Sequence, residues 1–217
     1  MNSRRSFLTN SILIASSFAI APAIALAEGD KSSDKKPWRT VNVNEDGKRV
    51  ILFFDFGCPY CAKYHKTMID WANSVPKQIQ TLFVPVVNPN DKARFKELTF
   101  AAACYYAAFN IASSDKIGVF IQSVYDQRGD GVALLNKDIW FNAIQAAGIN
   151  KKQWLAKIKE PVVFDLIRFA TLKERQYNLL ATPSIAVGGK YVLTPDDVNG
   201  DEQMFYNILN GLTSEIL

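Results

Sequence analysis

Three cysteines in 217 residues are too few for a disulfide scaffold, and a single histidine, His65, leaves little material for a Cys/His metal site. Charge of one sign is scarce as well. The chain holds 25 Lys and Arg against 21 Asp and Glu, and Arg4 and Arg5 account for half of the resulting +4. No basic stripe interleaved with aromatics is present, so no nucleic-acid partner is expected. The apolar run at residues 12–20 is too short and too rich in Ser and Ala for a good membrane span. There are no internal repeats. What remains is 48% hydrophobic residues at a mean hydropathy near zero. That is the composition of a soluble globular chain of one or two domains with a real core.

Two of the three cysteines stand together, in Phe53-Phe54-Asp55-Phe56-Gly57-Cys58-Pro59-Tyr60-Cys61. An apolar β-type run at residues 50–54 passes through Gly57 into helix-type sequence. Cysteines three apart in the first turn of a helix share a face and lie within bridging reach. Cys58 falls at the helix start, where unpaired N–H groups and the helix dipole favour a thiolate. Pro59 suits the first helical position, where its missing N–H would have no partner. Cys61, one turn inside, is expected to be shielded. The pair reads as a redox dithiol, and no metal or cofactor beyond its own disulfide is expected. The third cysteine, Cys104, lies in an Ala-rich stretch and is expected to be a small buried residue on a helix, with a resolving role as the alternative. A zinc set of Cys58, Cys61, His65 and Cys104 is the weakest alternative, since no second C-x-x-C exists. His65 is expected to be solvated and Asp55 to be an exposed strand-end carboxylate, both as modulators of local charge.

Residues 1–27 read as an export signal. Ser3-Arg4-Arg5-Ser6-Phe7-Leu8 resembles the twin-arginine signal, and Ala25-Leu26-Ala27 supplies a small-x-small cleavage site. An ordinary secretory signal is the alternative; either sends the chain out of the cytoplasm. Residues 28–37 are polar and loose in character. Strands are expected at 38–43, 50–54, 79–87, 184–187 and 190–193, the last two joined by a tight turn at Gly188-Gly189. Between 91 and 177 the pattern is helical only, with helices expected at 95–112, 117–125, 137–147, 151–158 and 162–177. Arg128-Gly129-Asp130 is read as a loop. A closing helix at 201–215 shows Met204, Phe205, Ile208, Leu209 and Leu212 on one stripe.

Strand, Cys58-Pro59-Tyr60-Cys61, helix, strand, a helical block, Ala181-Thr182-Pro183 and a Gly-Gly hairpin with a closing helix: this order resembles the DsbA family of thiol–disulfide oxidoreductases. The resemblance runs from about residue 38 to the C-terminus. It implies an α/β thioredoxin fold at 38–90 and 178–217 with an all-helical domain inserted at 91–177. By it Cys58 is the nucleophile, Cys61 the resolving thiol and Pro183 a cis-proline beside them. Thr182, Pro59 and Tyr60 would meet the substrate. It implies a periplasmic oxidase acting on unfolded or reduced exported proteins, recharged by a membrane partner resembling DsbB. A reductase or isomerase like DsbG and DsbC is the alternative, although residues 28–49 are too short for the dimerisation domain of that group. A non-enzymatic chaperone or binding module is the other. Tyr60 brings no positive charge, unlike the His common there, so the Cys58 thiolate should be less stabilised than in the strongest oxidants. Leu52 also departs from the pattern, standing where many relatives carry a buried acid that serves the second thiol.

Overall fold

The computed structural model describes residues 36–129 and 131–217; the export signal and most of the loose segment expected at 28–37 lie outside them. The fold is organised around strand β2, Arg49–Phe54, in which every residue from Val50 to Phe54 is buried. Such a run suits a strand covered on both faces. β2 pairs in parallel with β3, Gln80–Pro85, and antiparallel with β4, Ser184–Val187. β4 continues antiparallel into β5, Tyr191–Leu193, and β5 into the short β1, Arg39–Thr40. The sheet order is β1-β5-β4-β2-β3.

The strand expected at 38–43 is reduced to two residues. Beyond it the Val41 and Val43 N–H groups donate to the carbonyls of Lys190 and Gly189, so the chain still runs along the sheet edge. Gly188 and Gly189 both have positive φ, 61° and 66°, as a two-residue hairpin turn requires. A Cβ on Gly189 would stand 2.0 Å from the Val43 carbonyl oxygen, which closes that position to any other residue.

Helix α1, Pro59–Ser74, and the closing helix, Glu202–Ser214, cover one face of the sheet. There Val50 and Leu52 pack with Tyr64, Met68, Trp71, Ile185, Phe205 and Leu209. The other face, with Ile51, Phe53 and Val84, packs on the helical block. That block consists of α2 (Phe95–Phe109), α3 (Ser114–Gly129), α4 (Lys137–Ala146), α5 (Lys151–Lys157) and α6 (Pro161–Gln176). The closing helix is therefore α7. α3 starts earlier and ends later than its apolar pattern suggested, so Arg128 and Gly129 belong to its last turn. Asn136, Asn150 and Asp201 cap α4, α5 and α7 by accepting a backbone N–H two or three residues on. Cys104 is fully buried in α2, its thiol pushed well up by burial, and Trp154 Nε1 donates to its carbonyl at 3.0 Å.

A buried ionic cluster ties the segment before β2 to α6. Lys173 Nζ lies 2.6 Å from Asp46 Oδ2, Tyr177 donates its hydroxyl to the same oxygen at 2.8 Å, and Arg49 reaches Oδ1 at 2.7 Å.

Candidate active site

β2 ends against the start of α1, and the turn between them carries the dithiol. Cys58 is the N-cap of α1, with extended backbone at φ −89° and ψ 119°, and Pro59 opens the helix. Both cysteines are free thiols. Cys58 is half-buried and Cys61 has no exposed surface. The Cys58 N–H donates to the Asp55 carbonyl at 3.1 Å, and the Asp55 N–H donates to Cys61 Sγ at 3.4 Å. Across the site the Cys58 thiol donates to the Thr182 carbonyl at 3.2 Å. The Thr182–Pro183 bond is cis, and Pro183 is buried. The structure thus brings Cys58, Cys61, Thr182 and Pro183 together, with Pro59 and Tyr60 exposed at the rim; Tyr60 is 58% exposed.

The two sulfurs differ sharply. The hydrogen bond from Cys61 lowers the Cys58 thiol to about 6, against the burial that opposes it and with help from Thr182 and the N–H groups of Cys61 and Tyr60. Burial pushes Cys61 far above the ordinary thiol range, and the neighbouring Cys58 adds to this. The value at Cys58 lies between the roughly 3.5 of DsbA and the roughly 7 of thioredoxin. A measurable linkage follows. A depressed folded value contributes stability that is fully present above the ordinary thiol value of about 8.5 and is lost as pH falls through about 6. The reduced protein is therefore expected to gain Tm relative to its disulfide form as pH rises from 6 to 8. Absorbance of its thiolate at 240 nm should have its half-point near pH 6. A half-point above 8 would contradict this geometry.

Two sequence expectations are corrected here. Asp55 is not an exposed carboxylate: it is 7% exposed and gripped by Arg94, the residue before α2. Arg94 Nη1 lies 2.7 Å from Oδ2 and Nη2 lies 3.1 Å from Oδ1, while the Gly57 N–H donates to Oδ1 at 2.7 Å. His65 is not solvated: α3 packs over that side of α1, so the ring is buried edge-on to Tyr125, 5.3 Å between centroids. Burial holds its titration below the ordinary imidazole value, so it carries no charge to the thiols at neutral pH. Leu52 is buried in the core between the sheet and α1, and the buried acids among the described residues are Asp46 and Asp55. Among the described residues no three Cys, His, Asp or Glu side chains converge as a metal set, so the zinc grouping does not assemble.

Sequence reasoning missed Arg94 and Tyr125. Nothing in the spacing marks either, since both come from the helical block. Tyr125, Arg128, Phe56, Gly57, Cys58 and Pro59 line a cavity of about 180 Å³. A second cleft of about 170 Å³ is lined by Asp55, Arg94, Glu174, Leu180, Ala181 and Thr182. Leu180, 73% exposed, stands at its edge. The arrangement can do one kind of chemistry: an accessible low-pKa sulfur can be attacked or can attack, and a shielded sulfur one helical turn away can capture it.

Residues 44–204 match a family model described as thioredoxin. The chain is 24% identical over 195 residues to the thiol:disulfide interchange protein DsbA of Burkholderia cepacia, covering 89% of this chain and 88% of that one. It is 23% identical over 228 residues to the thiol:disulfide interchange protein DsbL of Escherichia coli O6:H1, covering 92% and 93%. The crystal structure of Pseudomonas aeruginosa DsbA superposes with a TM-score of 0.68 at 16% identity, covering 83% of this chain and 92% of that one, which shows a common fold.

Proposed function

The chain belongs to the thioredoxin family and is a thiol–disulfide oxidoreductase, and on that premise we propose that it works as an exported oxidase that donates a Cys58–Cys61 disulfide to protein thiols. The observation that carries this is the asymmetry of the pair. Cys58 is accessible and held near 6, whereas Cys61 is sealed and held protonated. A thiolate stabilised in the reduced form favours reduction of the enzyme's own disulfide, which is what an oxidant requires.

The reaction runs in two exchanges. A client thiolate attacks Cys58 Sγ of the disulfide, the S–S bond breaks, and Cys61 leaves with the electron pair and takes a proton. A second client thiolate then attacks the client sulfur of the mixed disulfide and expels Cys58 as a thiolate. The client loses two electrons and the enzyme gains them; of the two client protons, one rests on Cys61 and the other passes to solvent. Thr182 offers its backbone to an extended client segment as a short added strand, with Pro59 and Tyr60 at the other lip. Buried Pro183 closes the far side of the sulfurs. The disulfide is the only redox group the cycle uses. We place the protein in the periplasm after twin-arginine export, with 91–177 as an inserted helical domain and a DsbB-like membrane protein as reoxidant. No helix among the described residues is long and apolar enough to cross a membrane.

Equilibration with glutathione tests the direction. A Cys58–Cys61 potential above about −200 mV is expected of an oxidase, whereas one near about −270 mV would assign a reductase. The reductase and isomerase reading has one observation in its favour: about 6 lies closer to the thioredoxin value than to that of DsbA.

A further inference from the structure

Asp55 is the point where the backbone contacts of the site meet. Its carbonyl receives the Cys58 N–H, its N–H reaches Cys61 Sγ, and its carboxylate receives the Gly57 N–H. A buried carboxylate so close to a reacting sulfur is costly unless it is paired. Arg94 supplies the pair with a two-pronged contact, and its own place is fixed by Asp91, whose Oδ1 accepts the Arg94 N–H at 3.1 Å, and by Glu97 at 3.9 Å. The guanidinium lies close over the turn: a Cβ on Gly57 would stand 2.4 Å from Arg94 Nη2, so a larger residue there would have to displace it. The guanidinium also lines the cleft beside Ala181 and Thr182.

We propose that Arg94 is a positioning residue for the exchange: it holds the Asp55 carboxylate where that group fixes the Gly57–Cys58 turn, and it cancels the negative charge beside the reacting sulfur. The proposal deepens the thiol exchange assigned above and rests on it. Other groups face Cys58 too, namely Cys61 on α1, Thr182 ahead of β4, and Tyr125 and Arg128 on α3. None of these bonds to the Asp55 carboxylate. Without Arg94 the carboxylate stands unpaired beside the turn that carries Cys58. That uncompensated negative charge disfavours the Cys58 anion.

Titration of the reduced protein at 240 nm tests this independently of the direction of electron flow. In Arg94→Met the Cys58 half-point is expected to rise by about one pH unit. The disulfide then becomes about fivefold less oxidising against glutathione at pH 7, or about 20 mV. Arg94→Lys, which keeps the charge but not the fork, should recover about half of the shift. Asp55→Asn should move the half-point the opposite way, because an unpaired guanidinium is left beside the sulfur. Arg94 is partly exposed and Asp55→Asn keeps the shape of the buried side chain, so these variants are expected to fold, and circular dichroism checks that they do. An unmoved half-point in Arg94→Met and Asp55→Asn, with the parent titrating normally, would overturn the role of Arg94 alone. A parent protein without any thiolate titration would overturn both this role and the exchange assignment.

Discussion

Cys58→Ser is expected to lower disulfide transfer to a reduced client protein by roughly 10³-fold or more, while leaving the fold and any client binding in place. The thiolate is the reacting species, and a serine hydroxyl can neither populate an anion near neutral pH nor form an S–S bond. The side chain is half-buried and serine is smaller, so no core packing is lost. Cys61→Ser should fail differently. Cys58 still attacks a client disulfide, but the internal thiol that would release the client is gone, so a mixed disulfide accumulates and appears as a reducible adduct on a non-reducing gel. The two variants together separate an enzyme from a binding module. If Cys58→Ser protects clients from aggregation and supports growth as well as the parent does, the exchange chemistry is not the function. If Cys61→Ser traps no adduct, Cys61 is not the resolving thiol.

How far this site could be read from the sequence depends on the range of the contacts involved. The run at 50–54, the Pro59 helix start and the Gly188-Gly189 turn are governed by neighbours within a few residues, and the structure places each of them within a residue or two of expectation. The helical block at 91–177 was legible as five helices because its apolar spacing changes from the strand pattern. Asp55 was misread because its direction is decided by Arg94, 39 residues away on the far side of β3. His65 was misread for a related reason. Its position one turn after Cys61 puts it on the right helix, but α3 decides which side of that helix is solvent. Gly57 offered the only local sign that something presses on the turn, and that sign does not name the partner.

The largest expected effect on stability lies away from the thiols, at Asp46, which the sequence does not mark. Asp46 and Lys173 are 0% and 3% exposed and 127 residues apart. Asp46→Ala leaves the Lys173 ammonium buried with Glu45 at 3.4 Å as its remaining acidic partner, and it strips the Tyr177 hydroxyl and Arg49 Nη1 of their acceptor. Removing one side of a buried pair costs about 3–5 kcal/mol, so a fall in Tm on the order of 10 °C is expected. Asp165→Ala is the control, because its pair with Arg168 is exposed and should contribute about 0.5 kcal/mol or less. The pH dependence carries its own sign. Burial pushes the Asp46 carboxyl up, but hydrogen bonds from Lys173, Arg49 and Tyr177 outweigh it and hold the group below its ordinary value of 3.8. Its contribution is therefore complete above that value and is lost as pH falls through the lower folded one. The gap in stability between the parent and Asp46→Ala should be constant from pH 5 to 8 and close only below about 4. Replacing the three buried members together, as Asp46→Leu with Lys173→Met and Tyr177→Phe, should restore much of the loss, since the penalty belongs to the unpaired charge and not to the missing bond. Equal Tm values for Asp46→Ala and Asp165→Ala would show that the cluster does not tie the segment before β2 to α6.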